Sequence, residues 1–280
     1  MPRQMIATLL TDFGLRDPYV ATMKGVMIGI CPDVHIVDIS HAVAPHDILG
    51  AAFILAQSVT SFPPGTVHVI VVDPDVGTDR KILAARFAGQ SFVFPDNGVI
   101  SFIATSLPLE QIVTVQNKQF FRTSAPSGTF HGRDILAPVA AQILLGLDLR
   151  RLGPEPGTYK LLDLPKVTES PAELAGEVLY VDRFGNMITN ITDTMIRRHW
   201  DALDRVRVSC NGREVGPLRN NYAATPGQPL AIVNSMGLLE VAMNQKRASQ
   251  ALGARVGTPV RVCCPEGRVP GPPRPPAATA

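Results

Sequence analysis

The chain has 280 residues, enough for one large domain or two ordinary ones, and its apolar content of 45% is that of a globular protein. Charged residues make up 18% and the formal net charge is +2, with no long basic run and no basic patch interleaved with aromatics, so the charge pattern makes no case for nucleic acid. No stretch reaches the roughly 18 apolar residues of a membrane span, the N-terminus lacks the apolar core and cleavage site of a signal peptide, and Cys31, Cys210, Cys263 and Cys264 are spaced for neither a zinc site nor a disulfide framework. The expectation is a cytoplasmic, reduced protein without a membrane or nucleic-acid partner.

In chain order, "MIATLLTD" reads as a strand, and "DPYVATMKGVMIGIC" as a helix that stops before Pro32. "VHIVDIS" is a second strand, and "DILGAAFILAQSVTSF" a second helix with Asp47 as its N-cap. "GTVHVIVVD" is a third strand, "LAARFAGQSFVFPDNG" a hairpin-like pair, and "HGRDILAPVAAQILLG" another helical pattern. Strands that alternate with helices imply a mostly parallel sheet covered on both faces. The composition changes in the Pro-rich stretch "GPEPGTYKLLDLPKVTESPAE". Beyond it, "GEVLYVDRFGNMITNI", "RVRVSCNGREVGPL", "PLAIVNSMGLLEVAMNQ" and "GTPVRVCCPE" are short strands with turn signals. The predicted organisation is an α/β N-terminal domain over residues 1–160, a linker over 161–175, a smaller all-β domain over 176–265, and a Pro-rich tail over 266–280. That tail has too little apolar surface to order itself.

In open α/β sheets ligands sit beyond the carboxyl ends of the strands. Asp12 follows "ATLLT" and Asp73 follows "VHVIVV", so both fall at such ends; Asp38 lies inside a strand pattern. A single Asp at such a place serves a cap or turn as readily as a site, whereas two at corresponding strand ends favour a shared cleft. Asp12 leads into "FGLRD", which has a glycine for close ligand approach but not the G-x-G-x-x-G fingerprint of a dinucleotide site. A carboxylate there suits the two hydroxyls of a ribose. "GTFHGRDILAPVA" sets His131, Arg133 and Asp134 at a helix start, where Asp134 as a cap beside an exposed His131 is the simple reading and the flanking glycines point to a close backbone approach. His41, His46 and Asp47 in "SHAVAPHD" match no metal-ligand spacing. In "VDRFGNMITNI" a turn accounts for Asp182 to Gly185, while the Asn186 carboxamide offers the donor and acceptor together that an adenine edge requires. "NSMGLLEVA" adds Asn234, Ser235 and Glu240.

Seven segments, "LLTDFGLRDPYVATMKG", "VDISHAVAPHDILGAAFIL", "VVDPDVGTDR", "FPDNGVIS", "FHGRDILAPVAA", "VDRFGNMITNI" and "NSMGLLEVA", occur in an order that resembles the S-adenosyl-L-methionine hydroxide adenosyltransferases, relatives of fluorinase and chlorinase. The resemblance covers roughly residues 5–264. It implies an α/β domain followed by a β domain, and a homotrimer in which the substrate lies between one subunit's N-terminal domain and its neighbour's C-terminal domain. It also implies hydrolysis of S-adenosyl-L-methionine to adenosine and L-methionine by attack of water or hydroxide on ribose C5′, with neither metal nor cofactor. The family's catalytic Asp-Arg-His set falls on Asp73, Arg80 and His131. Its substrate contacts fall on Asp12 for the ribose, Asp17 and Tyr19 near the methionine, Asp182 at the methionine amine, Phe184 and Asn186 at adenine, and Ser235, Glu240 and Met243 around the pocket. Chemically, a carboxylate can take the proton of a water that is otherwise a poor nucleophile, and a fixed guanidinium favours the hydroxide. One departure is Asp75, where the family shows Gly; if the position needs a positive φ, Asp tolerates it better than most residues, but it can shift the loop or add charge near the nucleophile. The alternatives are a halide-using enzyme of the same fold, which the carboxylate at position 73 disfavours, and a non-catalytic sensor of adenosine or S-adenosyl-L-methionine.

Overall fold

The computed structural model describes residues 4–264, and the expected disordered tail, 266–280, lies outside them. Between Asp163 and Leu164 the chain divides into two compact units.

The first unit starts with β1 (Ile6–Thr11), α1 (Tyr19–Ile30), β2 (His35–Ser40), α2 (Ile48–Val59) and β3 (Val67–Val71). It continues with β4 (Ile82–Phe87), β5 (Gln90–Pro95), α3 (Ser101–Ser106), β6 (Leu109–Thr114) and α4 (Ala137–Leu144). The strands form one sheet in the order β2-β1-β3-β5-β4-β6. The first four run parallel, and β4 is antiparallel to both of its neighbours. Alternate residues of the central strands face opposite ways. Leu9, Val69 and Val71 pack against Met23 and Met27 of α1 and Ala137, Ala140 and Leu144 of α4. Leu10, Ile70 and Val72 pack against Ala51, Ala52 and Leu55 of α2 and Ile103 of α3. Every residue of β3 is buried for this reason, and its sequence is an unbroken apolar run apart from one histidine. The α2 cap is the expected one: Asp47 Oδ1 accepts the Gly50 N–H at 2.8 Å. The hairpin-like pair is β4 and β5, joined at Ala88 and Gly89, both with positive φ as a two-residue hairpin turn requires.

The second unit holds β7 (Thr168–Glu169), β8 (Glu173–Val181), β9 (Met187–Thr192), α5 (Asp193–His199), β10 (Arg207–Cys210) and β11 (Arg213–Gly216). It ends with β12 (Leu218–Arg219), β13 (Pro229–Val233), β14 (Leu238–Met243), α6 (Ala248–Leu252) and β15 (Pro259–Cys263). The strands follow the order β11-β10-β15-β8-β9-β14-β13-β12, with β7 paired to β8. Its two ends approach where β11 lies near β13, so the sheet curls almost into a barrel. Val178, Met187, Val208, Leu239, Val241 and Val260 fill the interior, together with Ile196 and Trp200 around α5 and Leu252 of α6. The two short helices interrupt the all-β pattern expected of this region. The start of α5 carries a readable signal, because Thr192 caps the Met195 N–H at 3.1 Å and Arg197 to His199 occupy the negative end of the helix dipole. Among the described residues no helix is long and apolar enough to cross a membrane.

The histidine inside β3 is a structural one. His68 is fully buried, stacked on Phe92 with ring centroids 4.7 Å apart. Its Nε2 faces the Gln90 side-chain carbonyl at 3.3 Å, and its Nδ1 lies 2.7 Å from Thr8 Oγ1. The Gln90 amide in turn donates to the carbonyls of Val59 and Phe62. A carbonyl cannot donate, so the ring proton sits on Nε2 and Nδ1 accepts from Thr8. Burial lowers this imidazole to about 4 from an ordinary 6.5. Its folded-state value lies below the unfolded one, so protons bind the unfolded chain more tightly. The stability is complete above about pH 6.5 and is lost as pH falls towards 4, by on the order of 3 kcal/mol. Urea titrations at stepped pH should show His68→Gln, which keeps a neutral polar side chain, losing less stability than wild type between pH 7 and 4. Parallel losses would mean that His68 is not the group responsible.

Candidate active site

Strands β1 and β3 are parallel neighbours, with Thr11 opposite Val71. Their carboxyl ends therefore deliver Asp12 and Asp73 to the same edge of the sheet, as the two strand-end acids predict. Asp73 starts the loop "DPDVGTDR", which returns at Arg80 just before β4. Arg80 Nε donates to both carboxylate oxygens of Asp73 at 2.8 Å, and Nη2 adds a further short hydrogen bond to Oδ2. The side chains of Arg80 and Asp73 are 3% and 4% exposed. Such a desolvated pair is costly to build and persists where its geometry is held firmly on all sides.

The loop is braced at Gly77, whose φ of +85° suits glycine; a Cβ there would lie 2.2 Å from the Gly128 carbonyl oxygen. Asp75 lies outside the positive-φ positions, so the replacement of the family's usual glycine costs no backbone strain. It is exposed, and its carbonyl accepts the Thr78 N–H and hydroxyl.

Arg80 Nη2 also reaches His131 Nδ1 at 2.8 Å. A guanidinium has no acceptor, so it donates and Nδ1 accepts. His131 is then neutral, with its proton on Nε2. Burial and the neighbouring Arg80 charge both depress this imidazole, against the opposing pull of Asp73 and Asp134. His131 opens a π-helical turn, Gly132–Leu136, that runs into α4; such turns recur at functional sites. Asp134 does not cap this turn. It is buried, and its carboxylate takes Arg133 at 2.7 and 2.8 Å, the Ser127 N–H at 2.9 Å and Arg122 at 3.4 Å. Arg133 leads these contacts in holding Asp134 down at about 2.

A cavity of about 320 Å³ opens in front of these groups. Asp12, Tyr19, Asp73 and His131 line it, with Phe13 and Phe130 beside them. Phe13, Tyr19 and Phe130 form a mutual aromatic cluster with centroids 5.3–6.0 Å apart. Asp12 Oδ2 accepts the His46 N–H at 2.9 Å, and among the described residues nothing donates to Oδ1. Asp17 is exposed and does not line the cavity.

The second unit has its own cavity, about 610 Å³, lined by Asp182, Phe184, Asn186, Tyr222, Met243 and Lys246 among others. Asp182 and Asn186 stand at the two ends of the β8–β9 turn and bind each other. The Asn186 N–H donates to Asp182 Oδ1 at 2.8 Å and its amide nitrogen to Oδ2 at 2.9 Å. The amide oxygen and one amide proton remain for a ligand. Phe184 at the tip is 74% exposed, an apolar ring with little cover among the described residues. Glu240 is buried behind the wall. Its Oε1 accepts the Tyr222 hydroxyl at 2.9 Å and its Oε2 the Asn234 amide at 3.3 Å. Burial raises Glu240, and burial followed by the Glu240 contact pushes Tyr222 up to about 12. Ser235 sits exposed in the β13–β14 turn and does not line this cavity. Tyr222, Phe13 and Phe130 were not singled out from the sequence. Phe130 had the adjacent "HGRD" as a signal, whereas Tyr222 lies in a polar stretch, "RNNYAATPG", without any pattern.

Known proteins align with the chain over nearly all of its described length. Residues 7–153 match the SAM hydroxide adenosyltransferase N-terminal domain and residues 176–261 the C-terminal domain of the same family. An (R)-S-adenosyl-L-methionine hydrolase from Thermus thermophilus is 40% identical over 261 residues, covering 90% of this chain and 97% of the relative. A fluorinase from Nocardia brasiliensis is 25% identical, covering 93% and 97%. The crystal structure of an uncharacterized conserved protein from Thermotoga maritima superposes with a TM-score of 0.86 at 38% identity, covering 92% of this chain and 99% of that one. With both halves matched in order and close relatives spanning nearly its whole length, the chain belongs to the SAM hydroxide adenosyltransferase family, to which fluorinase is related.

Proposed function

We propose that the protein hydrolyses S-adenosyl-L-methionine to adenosine and L-methionine, with Asp73, Arg80 and His131 acting on the attacking water. The observation that carries this reading is Arg80, buried and bonded to both Asp73 and His131, two groups that line the cavity. The water oxygen attacks C5′ of the ribose as the C5′–S bond breaks. The bonding electrons go to sulfur, the sulfonium leaves as neutral methionine, and the water's proton passes to Asp73 and then to solvent. The leaving group needs no acid. As the proton moves, negative charge shifts from the Asp73 carboxylate to the incipient hydroxide within the field of Arg80, bonding to C5′ then cancels it against the sulfonium charge, and loss of the proton to solvent restores the Asp73–Arg80 pair. Asp73 Oδ1 takes a single donor from Arg80, which leaves a lone pair for the water. The Nδ1 atom of His131 is occupied by Arg80, so His131 orients the water through Nε2–H and is not the base. Asp12 holds the ribose hydroxyls with its unpartnered oxygen, and Tyr19 packs near the methionine end.

The remaining contacts come from a second-unit cavity. Asn186 reads the adenine edge, Phe184 packs on the base, Asp182 faces the methionine amine and Met243 closes the wall; Asp17 and Ser235 belong to the outer contacts, and Glu240 acts from behind the wall through the Tyr222 hydroxyl it holds. We place the first-unit cavity of one copy against the second-unit cavity of its neighbour in a homotrimer. The exposed Phe184 ring and the exposed Leu15 and Tyr19 near the first cavity are the apolar surfaces such an arrangement would cover. A cytoplasmic location suits four unpaired cysteines. A halide in place of water would meet the Asp73 carboxylate and be repelled. A sensor would leave the ligand intact, and chromatography of the products separates the three outcomes.

Asp73→Asn keeps size but removes the proton acceptor, so turnover should fall by ~10²–10⁴ while adenosine affinity persists. Arg80→Ala should be comparably damaging and His131→Ala milder. The Asp73→Asn/Arg80→Ala pair should cost less than the product of the single losses, because both act on one water. Wild-type turnover with weakened binding in Asp73→Asn would make Asp73 a substrate contact. The assembly is checked by light scattering under assay conditions, where the expected species is a trimer and an active monomer would refute the shared site.

A further inference from the structure

We propose that His41 is a positioning residue for the substrate: it fixes the loop that presents Asp12 to the ribose, an inference that rests on the reading of the site above. The imidazole is buried, and its Nδ1 lies 2.9 Å from the hydroxyl of Thr11. The opposite nitrogen lies 3.0 Å from Asp38 Oδ1, off the axis of a well-aligned hydrogen bond. Asp38 Oδ2 accepts from Lys24 Nζ at 2.6 Å. Burial works against the Asp38 charge, but the contacts with Lys24 and His41 prevail and hold the carboxylate below its ordinary range. The run thus links α1, β2, the 41–46 loop and the end of β1.

The connectivity Thr-His-Asp is that of a nucleophilic triad, but its chemistry is not. Thr11 is fully buried, and its oxygen already accepts the Phe13 N–H at 3.2 Å. It does not line the cavity. The residues on either side of Asp12 are held instead. His41 takes Thr11 with its ring, and with its carbonyl it accepts the Gly14 N–H at 2.7 Å. Five residues on, the His46 N–H donates to Asp12 itself, from a backbone at φ +67°, a left-handed conformation uncommon outside glycine. One loop therefore grips Asp12 from both flanks and from its carboxylate. That leaves one carboxylate oxygen free and aimed by the scaffold rather than by solvent.

Asp12 binds the ribose and not the reacting water, so disturbing this grip should weaken ground-state and transition-state binding together. Such losses raise KM and leave kcat, the reverse of those expected at Asp73. The test uses the full chain, with steady-state kinetics on S-adenosyl-L-methionine and calorimetric binding of adenosine. Thr11→Val, isosteric but without the hydroxyl, should raise KM and the adenosine Kd about tenfold with kcat within about threefold, and Thr11→Ser should restore both to within about twofold. Asp38→Asn, on an edge strand and with a side chain 37% exposed, should shift both constants about threefold in the same direction. It decides the question if Thr11→Val does not fold. A purely structural role would lower thermal stability without this split. Wild-type KM and Kd in the folded variants would overturn the proposal. A wild-type protein that binds neither adenosine nor S-adenosyl-L-methionine would overturn the site reading itself and the proposal with it.

Discussion

A guanidinium buried between a carboxylate and an imidazole constrains everything around it. Arg80 is almost without solvent, so its charge must be met by Asp73, and its remaining donor at Nη2 finds His131. That requirement fixes the tautomer of His131, because a guanidinium can only donate. It fixes the loop between Asp73 and Arg80, which must bring residues seven apart in sequence into a forked contact, and does so with Gly77 pressed against Gly128. It also fixes the turn that carries His131, where Asp134 ties Ser127, Arg133 and Arg122 together.

The sheet topology makes this economical. β1 and β3 are adjacent and parallel, so two acids that are sixty-one positions apart in sequence emerge side by side. One of them, Asp73, joins the ion pair. The other, Asp12, keeps an oxygen free and is held by the 41–46 loop. The two carboxylates thus have separate environments, and the proposed reaction gives them separate tasks, one at the nucleophile and one at the ribose. The second unit's cavity has a different lining, in which the Asn186 amide, the Tyr222 phenol and the exposed Phe184 ring, which the proposed function gives to the nucleobase, stand beside Asp182 and Lys246.

Much of this was legible in the sequence because it follows from local pattern. The buried run ahead of Asp73 and the alternation of strand and helix fix the parallel sheet, and the strand ends then locate Asp12 and Asp73 without further information. The motif order carries Arg80 and His131, which no periodicity would single out. What the sequence hid are contacts made by distant segments. Asp134 reads as a helix cap, yet in the structure it is a buried anchor, because its partners Arg122 and Ser127 lie on a loop that folds back over the turn. Glu240 reads as a pocket residue, yet it stands behind Tyr222, whose own segment has no recognisable pattern. His41 and His46 match no metal-ligand spacing, and their contacts with Thr11 and Asp12 appear only once the 41–46 loop folds against the end of β1. Helices α5 and α6 were missed because both are too short for their apolar spacing to stand out from the surrounding strands.

The central claim is that Asp73 acts on water and does not itself attack the ribose. A single turnover with enzyme in excess, run in water enriched in oxygen-18 and read by mass spectrometry, tests it directly. The account predicts one heavy oxygen in the 5′-hydroxyl of adenosine, none in methionine and none in the protein. Unlabelled adenosine with the heavy isotope in the Asp73 carboxylate would mean that the side chain had formed an ester with C5′, and would contradict the mechanism.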